Sequence, residues 1–179
     1  MKLKLQPTIF ADAWIVASDP FVDHRGYFAR TFCKAELTAA GLESRFVQHS
    51  MSNSLAKGTI RGMHFQRAPH EEVKLVRCLH GEIFDVIVDL RPHSPTFKRW
   101  QAFTLSRANR LQLYVPKGFA HGFQALTDDV DVNYLISEFY APASAAGVRY
   151  NDPAFAIDWP LPVSVVSERD EAWPDFAQA

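Results

Sequence analysis

Four polar side chains of this sequence stand among apolar neighbours on segments whose residue types alternate as in a strand. They are His64, Lys74, Asp85 and Tyr134. An imidazole titrates near neutral pH and can accept a proton, a phenol can donate a proton and recover it, and an ammonium group stabilises negative charge that develops beside it. Taken singly, a histidine or a tyrosine in a strand is more often a structural residue with a satisfied hydrogen bond. Only a fold that brings these residues together would make them a site of proton transfer.

The segments that carry these residues are predicted to be short β-strands. Strand-like runs occupy residues 59–65, 73–79, 83–90, 99–105, 111–115 and 130–136, and turn signals such as His80-Gly81 and Pro116-Lys117-Gly118 separate them. Many short strands at this spacing are typical of an all-β sandwich or barrel. His64, Lys74 and Tyr134 each share a strand face with mainly apolar residues, as in the wall of a small ligand-holding barrel. Alternation alone does not tell which face points inward.

The rest of the chain predicts one domain with little helix. A helix is expected at residues 34–40, ending before Gly41, and a second short helix is expected after Ser167. No linker or repeat divides the 179 residues, which are enough for one hydrophobic core. We therefore expect a single domain over residues 1–179, in which the proline-rich segment from about 160 to 179 wraps the barrel.

Composition excludes several classes of function. The net charge is −1, whereas a nucleic-acid partner would favour a basic excess on one face. No segment is apolar enough for a secretory core or a membrane span. Cys33 and Cys78 form no CxxC pair and are expected to be reduced thiols. These features predict a cytoplasmic protein without a nucleic-acid or membrane partner, although a small anionic ligand remains compatible with them.

A metal site is the first specific hypothesis. Residues Pro116 to His121 read P-x-G-x-x-H, which resembles the second motif of cupins, where the histidine binds a metal. The first cupin motif would place a second histidine two residues after His64, but Gln66 stands there. An amide oxygen is a poorer ligand than imidazole for a transition metal. The sequence therefore favours a site without metal, and a metal site of His64, Glu72 and His121 stays open as an alternative.

A series of motifs runs through the chain in a fixed order. Asp23 to Phe28 reads D-x-R-G-x-F, and Arg61 to Gln66 reads R-G-M-H-F-Q. The others are F-x-Q at 46–48, S-x-S at 52–54, K-L-V-R at 74–77, D-V-I-V-D-L-R at 85–91, S-P-T-F at 94–97, P-K-G-F-A-H-G-F at 116–123, Y-A-P at 140–142, N-D-P at 151–153, W-P at 159–160 and S-E-R-D at 167–170. From about residue 20 to 172 the chain resembles the dTDP-4-dehydrorhamnose 3,5-epimerase family. So many ordered motifs are far more specific than any one of them.

This resemblance implies a fold and a reaction. The fold is a cupin-type jelly-roll β-barrel with antiparallel sheets and minor helix, assembled as a homodimer. The substrate is a nucleoside-diphosphate 4-keto-6-deoxyhexose of the dTDP-4-dehydro-6-deoxyglucose type, used in the biosynthesis of rhamnose-like deoxysugars. The enzyme inverts C3, C5 or both through an enolate. No cofactor is needed, because the C4 ketone itself makes the neighbouring protons acidic.

The resemblance also implies catalytic roles. An epimerase of this kind needs a base on one face of the sugar ring, an acid on the other and a cation or donor at the C4 oxygen. The implied residues are the base His64, its orienting partner Asp170, the acid Tyr134, the enolate-facing Lys74 and the supporting acid Asp85. Tyr140 is the competing phenol for the role of acid.

Seven positions are implied to bind the substrate. They are Arg25, Phe28, Gln48, Arg61, His121, Tyr140 and Arg169. Arg25, Arg61 and His121 match family positions near the diphosphate and the sugar, and the planar fork of arginine suits phosphate because it donates two parallel hydrogen bonds. Gln48 and Tyr140 match contacts to the nucleoside or sugar, with Tyr140 stacking on the base.

Three positions depart from the family pattern. Arg30 stands where many members carry glutamate, Ser50 where they carry asparagine, and Glu72 where they carry glutamine. The first two match positions near the nucleotide, so the local charge there is reversed by Arg30. A CDP- or GDP-linked sugar, or inversion of one carbon, therefore stays open beside dTDP. Two other classes also stay open: a metal-dependent cupin oxygenase or isomerase, and a non-catalytic sugar-nucleotide-binding cupin.

Overall fold

The computed structural model describes residues 1–176, which form thirteen strands and two short helices. The strands are β1 Leu3–Pro7, β2 Trp14–Ser18, β3 Phe21–Asp23, β4 Gly26–Phe28, β5 Gln48–Ser54, β6 Ile60–Gln66, β7 Lys74–His80, β8 Glu82–Asp89, β9 Trp100–Ser106, β10 Gln112–Val115, β11 Phe119–Ala125, β12 Val130–Ile136 and β13 Ala145–Gly147. The helices are α1 Lys34–Ala39 and α2 Glu168–Glu171. All ten strand pairings in this part of the chain are antiparallel.

Two sheets face each other and enclose the core. One has the order β1-β2-β10-β7-β12-β5 and the other the order β13-β6-β11-β8-β9, while β3 and β4 form a separate hairpin. Val76 and Leu113 of the first sheet and Ile87 and Phe123 of the second are fully buried in one cluster. The interior faces of both sheets therefore make a barrel, and the predicted all-β jelly roll with minor helix is confirmed.

The six strands predicted from alternation all exist, each within one residue of its expected bounds. The prediction missed β11, because all seven of its residues are buried and its sequence does not alternate. This strand lies in the middle of its sheet between two hydrophobic layers, so both of its faces are covered. It also missed the short strands β1 to β4 and β13, and β5, whose sequence QHSMSNS is polar apart from Met51. That strand lies at the edge of its sheet.

Both predicted helices are confirmed. Helix α1 is followed by Ala40 and then by Gly41 with φ of 73°, the left-handed conformation that ends many helices. Helix α2 begins after Ser167, whose hydroxyl accepts a hydrogen bond from the Asp170 backbone N–H at 3.2 Å. This cap compensates for the shortness of a four-residue helix, which would not form on its own.

The C-terminal segment covers the outer face of the second sheet. Val148, Phe155 and Ile157 pack with Met63 and Val86 in a second hydrophobic cluster, joined by the half-buried Trp159 and Phe176. The Phe176 backbone N–H donates to the Asp152 carboxylate at 2.6 Å. The segment thus lies along the barrel up to residue 176, and the last residues of the predicted wrapping segment, 177–179, lie outside the described part. No helix within residues 1–176 has the length and apolar character needed to span a membrane.

Candidate active site

One cavity of about 550 Å³ opens into the barrel and gathers most of the predicted site. Nine predicted site residues line it: Gln48, Arg61, His64, Lys74, His121, Tyr134, Tyr140, Arg169 and Asp170. They come from five strands of both sheets, from the loop after β12 and from α2. The structure thus answers the question that alternation left open, because the faces bearing His64, Lys74 and Tyr134 point inward.

His64 and Asp170 form a hydrogen-bonded pair although they are 106 residues apart in sequence. His64 Nε2 lies 2.6 Å from Asp170 Oδ1, and the Gly62 backbone N–H donates to Asp170 Oδ2 at 3.2 Å. Asp170 is buried while the imidazole is 44% exposed toward the cavity. Burial alone would raise the pKa of Asp170, but the hydrogen bond and charge of His64 and the Gly62 N–H outweigh it and lower the pKa. Asp170 is therefore an ionised partner for the imidazole.

Tyr134 lies on the opposite sheet. Its hydroxyl is 3.0 Å from the Ser52 hydroxyl on the neighbouring strand β5. Burial raises the pKa of Tyr134 above its ordinary value, the Ser52 hydrogen bond opposes this in part, and the negative charge of Asp85 adds to it. The phenol therefore keeps its proton at neutral pH. Tyr140, the competing phenol, is 55% exposed, and its backbone N–H donates to Gln48 Oε1 at 2.8 Å.

A second histidine–carboxylate pair lies beneath Tyr134. His121 Nε2 is 2.7 Å from Asp85 Oδ1, and both side chains are almost fully buried. The His121 ring meets the Tyr134 ring edge to face at 6.3 Å between centroids. Asp85 Oδ2 is buried without a hydrogen-bond partner in residues 1–176. Asp85 does not line the cavity itself, so it acts on the site through His121 and through its charge.

Lys74 pairs with the glutamate that departs from the family pattern. Its Nζ donates to Glu72 Oε1 at 2.9 Å and to the His64 carbonyl oxygen at 3.4 Å. Both side chains of the ion pair are only 11% exposed. An ammonium group has three N–H donors, so one remains for a ligand in the cavity.

Arginines lie on two walls of the cavity. Arg61 donates to the Ser54 hydroxyl at 3.0 Å and to the Asn53 carbonyl at 2.6 Å. These bonds hold its guanidinium at the mouth beside β5. Arg169 approaches from α2, with its guanidinium 5.4 Å from the centre of the Trp173 ring.

Two predicted binding residues lie outside the cavity. Arg25 and Phe28 belong to the β3–β4 hairpin, where Phe28 is 66% exposed and Arg25 pairs with Asp23 at 2.6 Å. Neither lines the cavity of its own chain. Their role in binding stays a prediction.

The residues of the alternative metal site all have other partners. His64 and His121 each pair with an aspartate, and Glu72 pairs with Lys74. Gln66, at the position of the missing cupin histidine, accepts from the Ala141 N–H at 2.7 Å and donates to the Phe139 carbonyl at 3.2 Å. Gln66 therefore fastens the loop that carries Tyr140. Within the described residues no group of three or more His, Cys, Asp or Glu side chains is arranged to hold a metal ion. The metal-free site stays a prediction, tested below.

Some residues of the site were missed by sequence reasoning. Ser52 belongs to the S-x-S motif, but the motif alone did not assign it to Tyr134. Gly62 and Trp173 lie beside Asp170, and nothing in their spacing pointed to this. Only their packing around α2 identifies them.

Comparisons with known proteins agree with this geometry. The chain matches the sequence profile of the dTDP-4-dehydrorhamnose 3,5-epimerase family over residues 7–178. It is similar to the dTDP-4-dehydrorhamnose 3,5-epimerase of Methanothermobacter thermautotrophicus, with 46% identity over 90% of this chain and 88% of that protein.

Solved structures agree as well. The chain is similar to the dTDP-4-dehydrorhamnose 3,5-epimerase of Bacillus anthracis with TDP and PPi bound, with a TM-score of 0.94 and 43% identity over 97% of this chain and 99% of that one. It is also similar to a 3'-monoepimerase from Streptomyces bikiniensis in complex with dTDP-quinovose, with a TM-score of 0.88 and 33% identity over 96% and 87% of the two chains. The resemblance seen in the motifs is confirmed, and the chain belongs to the dTDP-4-dehydrorhamnose 3,5-epimerase family.

Proposed function

We propose that this protein epimerises a nucleoside-diphosphate 4-keto-6-deoxyhexose by proton transfer at C3, C5 or both. One observation carries the proposal. His64, paired with Asp170, and the protonated Tyr134 enter one cavity from facing sheets. A sugar ring held between the sheets would have a base on one face and an acid on the other, which inversion requires.

The site residues divide the reaction into two proton transfers. Because Asp170 engages His64 Nε2, the Nδ1 atom is left to take the proton from carbon, and Asp170 balances the charge of the imidazolium. The electron pair of the broken C–H bond moves into the C4 carbonyl, and Lys74 stabilises the enolate oxygen with its free N–H. Tyr134 then returns a proton from the opposite face. Asp85 holds His121 in place beneath the phenol.

The ligand we propose is a dTDP-linked sugar, in a pathway to a rhamnose-like deoxysugar. A relative with TDP and PPi bound and another in complex with dTDP-quinovose support this choice. Arg30 in place of the family's glutamate keeps CDP and GDP as alternatives, although its guanidinium is paired with Glu36 at 2.9 Å. Inversion of a single carbon is the alternative reaction, since one relative is a monoepimerase.

Incubation in heavy water tests the function directly. The protein is mixed with dTDP-, CDP- and GDP-linked 4-keto-6-deoxyhexoses, and mass spectrometry counts the deuterons incorporated. Two deuterons in the dTDP sugar indicate proton transfer at C3 and C5, and one indicates transfer at a single carbon. Chiral analysis of the product then shows which of these carbons is inverted. No incorporation into any of the three sugars would overturn the proposal in favour of a non-catalytic binding protein.

Catalysis should survive removal of metals. The cupin position for a second histidine holds Gln66, which accepts from the Ala141 N–H, and within residues 1–176 no group of three His, Cys, Asp or Glu side chains is arranged to hold a metal ion. Prolonged treatment with a chelator should therefore leave kcat and KM unchanged, as measured by the deuterium assay. Loss of activity that one added metal restores would instead support the metal-dependent cupin.

Arg61 should act on binding rather than on chemistry. Arg61→Ala should raise KM by roughly 30- to 1000-fold with a small change in kcat, because a desolvated arginine–phosphate pair contributes about 2–4 kcal/mol. Arg99→Ala is the matched control, since Arg99 is exposed and lies outside the cavity. An unchanged KM for Arg61→Ala would mean that Arg61 only braces β5.

We also propose that the protein is a homodimer in which each hairpin reaches the cavity of the second copy. Phe21 pairs with Phe28 and Val22 with Tyr27 across the hairpin, and these four side chains are 56–68% exposed. Apolar side chains exposed on both faces of a hairpin mark an interaction surface. This arrangement would bring Arg25 and Phe28 to a substrate although they lie outside the cavity of their own chain.

We also propose that residues 1–179 form one catalytic domain, because α2 supplies Arg169 and Asp170 to a cavity otherwise built by strands. The cytoplasmic location stays a prediction.

A mixed dimer tests this assembly. Arg25→Ala and His64→Ala subunits are each expected to be defective alone. Co-expressed with two tags and purified as a hetero-pair, they should regain about half of the wild-type activity, because one cavity then has its own His64 and the partner's intact hairpin. If Arg25 acts in its own chain, the hetero-pair will not recover activity. A 20.3 kDa monomer in sedimentation would contradict the dimer itself.

A further inference from the structure

Asp170 lies on helix α2, which is too short to hold its carboxylate in position without support from the rest of the chain. Helix α2 has four residues, and isolated helices of this length do not persist in water. Its N-terminal cap at Ser167 fixes one end. Something must fix the other end, because the 2.6 Å contact with His64 depends on where Asp170 stands.

Trp173 is the side chain that fastens this end. It lies just beyond the end of α2, two residues after Glu171, where the chain turns back over the helix that carries Arg169 and Asp170. Its indole is half-buried, stacks with the Arg169 guanidinium and packs against Gly147. A Cβ atom added to Gly147 would collide with indole atoms Nε1 and Cε2. Only glycine at position 147 therefore admits the indole.

Gly147 lies beside the catalytic base. In the β13–β6 pairing, Gly147 is the direct partner of His64, and Val148 exchanges two backbone hydrogen bonds with Met63 at 3.0–3.1 Å. The indole that rests on Gly147 thus lies next to both members of the His64–Asp170 pair. Trp173 itself is outside the cavity lining, so it reaches a substrate only through these residues.

The indole N–H adds an electrostatic link. It is buried and makes no well-formed hydrogen bond within the described residues, although buried tryptophans usually find a partner. It lies close enough to Asp170 to help lower the pKa of that carboxylate against the opposing effect of burial, with a smaller share than His64 and Gly62. The contacts of this indole N–H give it one role, which is to favour the ionised form of Asp170.

We propose that Trp173 is a positioning residue for the His64–Asp170 pair: wedged on Gly147, it holds α2 against β6 and turns its N–H toward the carboxylate. The catalytic part of this inference rests on the proposed epimerase function. The chain beyond Trp173 secures the wedge through an ion pair between Asp175 and Arg149 and the hydrogen bond from Phe176 to Asp152.

The first test needs no substrate. Trp173→Phe keeps most of the packing and removes the N–H. The carboxyl carbon signal of Asp170, assigned by its absence in Asp170→Asn, is titrated by NMR in the free protein. Without the donor the ionised carboxylate loses a stabilising contact, so the midpoint of the Asp170 titration should move to higher pH by roughly half a pH unit. Trp159→Phe is the control, because Trp159 donates to the Tyr150 carbonyl away from the cavity.

The second test uses the deuterium assay. Trp173→Phe should lower kcat by about tenfold, move the acid limb of the kcat profile to higher pH and leave KM within a factor of about three. Gly147→Ala should reproduce the limb shift by displacing the indole. An unmoved Asp170 titration and acid limb in Trp173→Phe would overturn the inference whatever the activity. A wild-type protein inactive on all three sugars would instead overturn the proposed function, leaving the NMR result to decide on Trp173.

Discussion

His64→Ala should abolish both epimerisation and deuterium incorporation. Without the imidazole no base is placed beside the ketone carbon on that face of the ring, so enolate formation should stop. The expected loss in kcat is at least about a thousandfold, the scale of general-base catalysis with an oriented base. Single-turnover mixing in heavy water followed by mass spectrometry measures both quantities together.

Two further variants serve as a control and as an intermediate case for the His64→Ala result. His93→Ala should behave as wild type, because His93 is exposed on a loop outside the cavity. Asp170→Asn should give a smaller loss than His64→Ala, since the imidazole remains but its charge partner is gone. Deuterium that still enters C3 or C5 at the wild-type rate in His64→Ala would show that His64 is not the base.

Tyr134→Phe should separate exchange from inversion. The base still removes the proton and can return a deuteron to the original face, so deuterium incorporation continues at the carbon that His64 reaches. Net inversion should fall by about a hundred- to ten-thousandfold, because the acid on the opposite face is missing. The raised pKa of Tyr134 fits this role, since it keeps the phenol protonated at neutral pH.

Tyr140→Phe is the discriminating partner of that experiment. Tyr140 lies at the rim and is more than half exposed, whereas Tyr134 is half-buried beside Ser52. Tyr140→Phe should therefore affect KM more than the ratio of exchange to inversion, as measured by chiral analysis of the product. If Tyr140→Phe separates exchange from inversion and Tyr134→Phe does not, Tyr140 is the acid and Tyr134 is not.

The sequence alone predicted about half of the strands, both helices and the family of this protein. Alternating residue types predicted six strands, and Gly41 and Ser167 marked the boundaries of two helices. Such signals are local, because a strand face or a helix cap depends on residues a few positions apart. The ordered motifs identified the family for a different reason: they record which residues a shared site requires, without showing where they meet.

Tertiary structure decided what depends on contacts between distant segments. Strand β11 was hidden because burial on both faces removes alternation, and β5 was hidden because a polar edge strand resembles a loop. Which face of each strand points inward depended on the sheet opposite. Gln66 fixes the Tyr140 loop through hydrogen bonds to partners more than 70 residues away. Asp170 reached His64 across 106 residues by way of a cap at Ser167 and the packing of Trp173 on Gly147. No spacing rule encodes that approach, because it is set by how a C-terminal segment packs on a finished barrel.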